Sequence, residues 1–589
     1  MNTKIALITL ALAATPFAAF SQGLHKEINV DQKIDPLKRD ASRINVLPTL
    51  QLPSIGNNGL PFSDRVVTSS IPKDFQVLAP LAYGDKLYIS PYRGYVALGL
   101  GTPLFNSALS AGYRILDSDK TRLSLWGEYN GDIYTTKTSV PHLAMEGASS
   151  EIKNYWRDHS ATVGADFHTL VGKTSALNAG LVYNYAYHTN PLEFSTFGQN
   201  ISRVNGQVGF TSNGEGIRYS AALHYGHFGF YHSTLARTGY AIPEAYPEKG
   251  VRQNLFGFSG LISLPFGESS SIGLDVDADF LRSTPHIHPL YPYLAPTDIS
   301  GKASSTSGLV SLTPHYDFTS GTVKVGLGAQ IDISSNTDKT FHIAPEVSFA
   351  WTPSQILGFE VKAHGGSRLN SLSELYDVTP YLAPSMAYTQ SHIPLALDAR
   401  LTFGPFFGAY IEAFGGYAKA SDWLMPVITS SYPGEGIFGA TNLSAWHGGI
   451  AVGYDYRDAV SARVSYETAP HSYDNAFYEW RDRARHVLNA ELSVRPVRPL
   501  LVTLGWEFRA GRRAYSLFPE TVSDLGTIYT PVAHSLGVVS NLSLGATYTV
   551  SDPLSVFVRC ENLLDRRFDY IGGRPSQGIN FMLGATLKF

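Results

Sequence analysis

The sequence predicts an all-β chain: a transmembrane antiparallel β-barrel of about 22 strands with a short extended N-terminal arm. Three observations carry that expectation. Between Ile579 and Phe589 the odd positions Ile579, Phe581, Leu583, Ala585, Leu587 and Phe589 are apolar, while the even positions read Asn580, Met582, Gly584, Thr586 and Lys588. Such alternation gives a strand one continuously apolar face. From Tyr92 onward, runs of about a dozen alternating residues are joined in turn by tight turns and by long polar loops, the pattern of strands that cross a bilayer. Past the first 21 residues there is no apolar run long enough for a helical span, which needs about 18 residues.

The chain opens with Asn2-Thr3-Lys4, an apolar run from Ile5 to Ala14, and the small-x-small site Ala19-Phe20-Ser21. Residues 1–21 therefore read as a secretory signal peptide, with Gln22 as the first mature residue. Cys560 is the one cysteine, so no intrachain disulfide holds the exported chain together. A net charge of −4 with both signs mixed along the chain leaves no basic stripe, which argues against nucleic acid as a partner. The 34 Tyr and 31 Phe are too many for a disordered chain and match the aromatic girdles at the two faces of a membrane barrel.

Residues 22–90 differ in character from the remainder of the chain. His25 to Arg43 is densely charged, and Pro48, Pro53, Pro61 and Pro72 interrupt any regular element. This segment is expected to be an extended periplasmic or lumenal arm. Its stretches Ile44 to Leu52 and Pro61 to Val67 are apolar enough to rest against a wall, so much of 44–90 is expected in the periplasmic half of the lumen.

The barrel is expected over residues 91–589. Leu274, Val276, Ala278 and Phe280 alternate with Asp275, Asp277 and Asp279, which on a membrane strand puts an acidic row in the lumen. Val323 to Ile333 alternates in the same way, with Lys324 on the polar face. Val460, Ala462, Val464 and Tyr466 oppose Arg463 and Glu467, and Val502, Leu504, Trp506 and Phe508 oppose Glu507 and Arg509. Arg463, Glu467, Glu507 and Arg509 are expected to be mutual partners across the wall. The closing strand, with Phe581, Leu583, Leu587 and Phe589 towards lipid, is expected to pair with the first strand and to serve as the insertion signal.

Turn chemistry stands at Asp117 to Lys120, Asn213 to Gly216, Thr352 to Gln355, Arg457-Asp458 and Ser551 to Pro553. Long polar loops are expected near 136–157, 233–251, 285–303, 370–387, 425–442 and 517–534. Loop length sorts by side, so the turns are periplasmic and the loops lie outside the cell.

Few constellations suggest chemistry. His286 and His288 alternate on a loop and would hold a metal only with a third ligand, so they read as ordinary loop residues. His224 and His227 have opposite strand parity and should not share a site. Cys560 falls on the lipid-facing parity of Leu554, Val556 and Val558, a place for an inert thiol. No local motif proposes a catalytic set, a cofactor or a resident metal, and the chain reads as a non-enzyme.

The segment Glu561-Asn562-Leu563-Leu564-Asp565-Arg566, followed by Phe568, Tyr570, Gly573-Arg574-Pro575, Asn580-Phe581 and Phe589, resembles the closing hairpin of the TonB-dependent receptors. The resemblance implies a barrel of that strand number in the outer membrane of a Gram-negative bacterium. Such receptors carry a plug domain inside the barrel, whereas residues 22–90 hold too little apolar periodicity for a domain with its own core. The expectation is thus a plug-less, receptor-like barrel that acts as a gated conduit for solutes, in contact with outer-membrane lipid and with protein partners in the outer membrane or periplasm. The alternative is a docking subunit of a multi-protein outer-membrane assembly, with no transport of its own.

Overall fold

The computed structural model describes residues 92–589 apart from 103–105, 140–150, 192–195, 215, 234–251, 285–304, 336–338, 379–389, 427–437, 457–458, 470, 474–483, 524–525 and 572–573. The expectations for residues 1–91, for residues 234–251 and 285–303 of the long loops, His286 and His288 among them, and for the Arg457-Asp458 turn lie outside the described residues.

Twenty-two antiparallel staves form one closed wall. The first seven are β1 (Gly94–Gly101), β2 (Asn106–Asp117), β3 (Thr121–Ser139), β4 (Glu151–Val171), β5 (Ser175–Pro191), β6 (Thr196–Asn213) and β7 (Arg218–Ser233). They are followed by β8 (Arg252–Phe266), β9 (Ser270–Thr284), β10 (Ser305–Ser320), β11 (Val323–Ser334), β12 (Phe341–Ser354) and β13 (Leu357–Leu369). After a short helix, α1 (Leu372–Val378), come β14 (Gln390–Phe406), β15 (Ala409–Pro426), β16 (Phe438–Tyr456) and β17 (Val460–Thr468). The last five are β18 (His486–Val497), β19 (Leu500–Ala510), β20 (Val539–Ser551), β21 (Leu554–Glu561) and β22 (Asn580–Lys588). The piece His471–Tyr473 continues β17, since both pair with β16.

Every stave pairs with its neighbours in sequence, and β22 returns to β1 in a register that sets Tyr95 against Lys588 and Gly101 against Met582. Closure matters because an open edge in lipid would leave backbone groups without partners, at several kcal/mol each. At this seam Gly99 and Gly584 stand opposite each other. Inside the barrel their missing side chains are replaced by Met582, over Gly99, and by the Phe557 ring, over Gly584. On the outer face Phe589 covers Gly94 and stacks on Tyr113, with ring centroids 6.3 Å apart.

The two faces of β22 show how the sequence places the wall. Phe581, Leu583, Leu587 and Phe589 are about half exposed and face outward, whereas Asn580, Met582 and Thr586 are buried. The same outward apolar belt runs through Leu223 on β7, Phe256 and Ile262 on β8, Ile343 on β12 and Trp446 on β16. This inverts the pattern of a soluble protein, since the large apolar side chains are on the outside and the buried set is rich in Asn, Ser, Thr, His and Asp.

The loop lengths sort by side, but several boundaries differ from the expected ones. Strands β3 and β4 extend well into the span expected as loop 136–157, and β15 and β16 shorten the span 425–442, because wall strands continue past the bilayer. The turn expected at Thr352 to Gln355 is displaced: β12 runs to Ser354, with a register shift between Trp351 and Ser354. The expected loop 517–534 is a hairpin of Arg513–Ser523 with Gly526–Ser535, separate from the wall sheet.

Candidate functional site

The inner wall is built of ion pairs laid across glycines. On the acidic row of β9, Asp279 accepts a hydrogen bond from His224 of β7 at 2.8 Å, and both side chains fill the space left by Gly257 of the intervening β8. Asp275 lies 3.2 Å from His315 of β10, whose other ring nitrogen is 3.5 Å from Asp317. The His315 ring occupies the place a side chain at Gly273 would take. Asp277, between them, is exposed to the lumen, as is Lys324 on β11.

Further round the wall, Lys362 pairs with Glu346 at 2.7 Å, and Asp398 lies 3.0 Å from His364 and 3.7 Å from His447. Arg509 and Glu507 do pair with each other, the guanidinium Nε donating at 2.7 Å. Arg463 departs from expectation by turning to β15, where it donates to the Tyr410 hydroxyl at 3.2 Å and to Glu412 at 3.5 Å. The cause is Gly453, the β16 residue in register with Arg463: it leaves the wall open there, and the Tyr410 ring lies over it. Among the described residues no group of three His, Cys, Asp or Glu is arranged to hold a metal ion.

His224 and His227 face opposite sides. While His224 points inward, His227 and the Tyr225 hydroxyl both meet the side-chain oxygen of Asn254, each at 2.9 Å, on the outer face.

The larger surprise is at the loop-side mouth. In the segment expected as the polar loop 370–387, Ser371 caps a helix by accepting from the Glu374 amide at 3.2 Å. The spacing Ser371-x-x-Glu374 is the capping-box signature, and Leu372, Leu375 and Tyr376 form one apolar stripe at i, i+3 and i+4. That stripe does not face outward. Instead it packs on Ala186, Ile201, Phe228 and Phe230 of β5, β6 and β7, on a different arc of the wall from β13 and β14, where the loop is rooted.

Polar contacts fix this crossing. Arg203 of β6 pairs with Asp377 at 2.9 Å, and its guanidinium carbon is 4.6 Å from the Tyr376 ring centre and 5.4 Å from that of Phe228. The Tyr376 hydroxyl meets His188 Nδ1 of β5 at 2.7 Å, and the Leu372 amide donates to Gln253 of β8 at 2.6 Å. Burial pushes the Tyr376 phenol well above its ordinary pKa. The feet of the loop are tied as well: Asn370 donates to Ser391 at 2.9 Å, and Gln390 donates to the carbonyls of Gly308 and Ser335. Arg368 holds Glu374 at 2.9 Å. Chemically, the arrangement is a strap across part of the mouth, held by a buried ion pair and an apolar seal.

No protein-family model and no curated protein matches the chain. Solved structures do. The ferric enterobactin receptor PfeA of Pseudomonas aeruginosa is similar at a TM-score of 0.60 and 10% identity, over 86% of this chain and 81% of that one. The FrpB iron transporter of Neisseria meningitidis gives 0.61 at 10% identity, over 85% and 82%. The siderophore receptor PirA of Acinetobacter baumannii gives 0.61 at 11% identity, over 86% and 81%. The chain has the fold of these receptors, an outer-membrane β-barrel.

Proposed function

We propose that this chain is a gated conduit that admits a solute through the outer membrane from the loop side, in the manner of a TonB-dependent receptor. The observation that carries the reading is α1, folded inward from its own edge of the mouth onto β5, β6 and β7. A barrel of 16–18 strands already leaves an aqueous channel, and one of this size needs a seal. An apolar stripe latched by Arg203 and Asp377 is a seal that can be released, as a scaffold without transport would not require. The charged and histidine-rich wall beneath it supports a watered path.

The three similar structures are named a ferric enterobactin receptor, an iron transporter and a siderophore receptor, so an iron–siderophore complex is the first cargo to test. The plug-less reading of residues 22–90 and the involvement of partner proteins in the outer membrane or periplasm belong to the same proposal. In planar bilayers, replacing residues 371–379 by a Gly-Ser linker is expected to raise single-channel conductance several-fold. Deleting 24–90 in a separate variant tells the arm's share of the seal from the loop's. A barrel that stays non-conducting in both variants is a docking subunit and not a conduit.

A further inference from the structure

We infer that the root of α1 is an acid-sensitive hinge, in which a stacked pair of histidines, His342 and His392, holds the strap closed while at most one of them carries a proton. The inference rests on the reading of α1 as a releasable seal. Strand β13, which leads into the strap, parts from its neighbour before it ends. Its pairing with β12 stops at Glu346 opposite His364, and its pairing with β14 shifts register between His364 and Gly366. Above that step four pairs remain, from Gly366 with Ile393 to Leu369 with Gln390, and α1 begins three residues beyond Leu369.

On the β12 side of this section, side chains take over from the ladder. The Ser367 amide donates to the carboxylate of Asp332 on β11. Asp332 is fully buried and also accepts from Ser311 at 2.6 Å and from Gln330 at 2.9 Å, and the Gln330 amide fills the space that Gly366 leaves. The Ser367 hydroxyl meets Nδ1 of His342 at 3.4 Å and Nδ1 of His392 at 3.2 Å. Between them the two imidazoles stack, with ring centroids 3.9 Å apart and planes inclined by 28°. Both stand at the loop-side ends of their strands, His342 as the second residue of β12 and His392 as the third of β14.

One hydroxyl proton cannot serve two acceptors. Ser367 donates to one imidazole and accepts from the N–H of the other, so the neutral pair is satisfied with one ring in each tautomer. The charged groups facing the pair are Asp332, Asp422 of β15 and Lys339 of the β11–β12 connection, while Arg368 is turned to Glu374 and the Trp423 ring. The two carboxylates accommodate a first proton. A second sets two imidazolium charges face to face at the stacking distance, and Lys339 adds to the repulsion. When Gly366–Leu369 swings off β12 with its partners on β14, the rings separate and each takes a proton near the ordinary value of about 6.5. The released state therefore binds more protons, so closure is fully favoured above about pH 7 and is lost as pH falls below about 6.5.

The test uses the full-length barrel at about pH 7.5 and about pH 5.5, a window above the ordinary carboxylate range. Two quantities are read: single-channel conductance in planar bilayers, and the mobility of a nitroxide on Ser373→Cys in a Cys560→Ser background. Lowering the pH is expected to raise wild-type conductance several-fold and to free the label, and both changes should reverse. H342Q and H392Q each leave a single imidazole with no like charge stacked on it, so neither variant should respond. The barrel with 371–379 replaced by a Gly-Ser linker should conduct strongly at both pH values. A label that stays held in wild type, an acid response retained in H342Q or H392Q, or a conductance rise of equal size in the linker variant each overturns the hinge. If the linker variant conducts no more than wild type at about pH 7.5, the conduit reading fails, and the label on Ser373 alone still decides the hinge. Heat-modifiable gel mobility shows which variants are folded, and one folded single variant is enough.

Discussion

Asp377 and Arg203 meet at 2.9 Å although 174 residues separate them, and their bond joins a helix rooted between β13 and β14 to β6 of the wall. Arg203 is 1% exposed, so Asp377→Ala would strand a buried charge. Removing one member of such a pair costs about 3–5 kcal/mol, more than a short helix can absorb while staying docked. Single-channel recording should show Asp377→Ala opening the mouth as far as removal of 371–379 does. The double variant R203A/D377A should recover part of the closure, since it removes the stranded charge as well. Wild-type conductance in Asp377→Ala would mean that the ion pair does not hold the strap.

Alkaline pH offers a second handle on the same helix. With α1 docked, the Tyr376 phenol is buried and its pKa is raised, while in the released helix it returns to the ordinary value near 10. The docked state thus holds the proton more tightly. Its stability is fully present below about pH 10 and falls as pH rises from there towards the docked pKa. Conductance should therefore be flat from pH 7 to 9 and climb above about 10 in wild type. In Tyr376→Phe that alkaline rise should vanish, and a rise of equal size would assign it to another group.

At the seam, Gly584 has the backbone carbonyl of Leu98 and the Phe557 ring where a side chain would begin. Gly584→Val is therefore expected to block the register between β1 and β22 and to abolish heat-modifiable mobility. Phe589→Ala, which removes the stack on Tyr113 and the cover over Gly94 but leaves the backbone pairing, should lower the yield of inserted barrel several-fold while the barrels that form stay closed. Normal insertion of a chain lacking 577–589 would refute the closure argument.

Topology is open to direct labelling. In a Cys560→Ser background, Lys339→Cys in the connection from β11 to β12 should react with an impermeant maleimide on intact cells. Gly216→Cys in the turn between β6 and β7 should react only after the outer membrane is opened. The reverse pattern would invert the barrel.

Much of the wall was legible in the sequence because lipid imposes period two on every stave and closure imposes an even strand number. Phe581, Leu583, Leu587 and Phe589 face outward for that reason alone. The strap was not legible, although its signals were present in Ser371, Glu374 and the stripe of Leu372, Leu375 and Tyr376. Seven residues among polar neighbours are too few to stand out from a loop, and their stability comes from β5 to β8 and not from helix propensity. Ion-pair partners were the other blind spot. Parity puts Arg463 in the lumen, but Gly453 decides that it reaches Glu412, and only the register between staves reveals that a glycine lies in its path.

The seam between β1 and β22 also sets a timetable. Antiparallel neighbours form hairpins as soon as both strands exist, yet β1 has one partner in β2 and must wait for the other until nearly all of the wall has been made. Contacts this remote in sequence form slowly, because the intervening chain has to be gathered before they give any return. During that wait both margins of the growing sheet bear unpaired amides and a greasy outer face, the conditions under which strands add to one another between molecules. A barrel joined by its first and last staves therefore carries two open margins until Asn580–Lys588 arrives to close them.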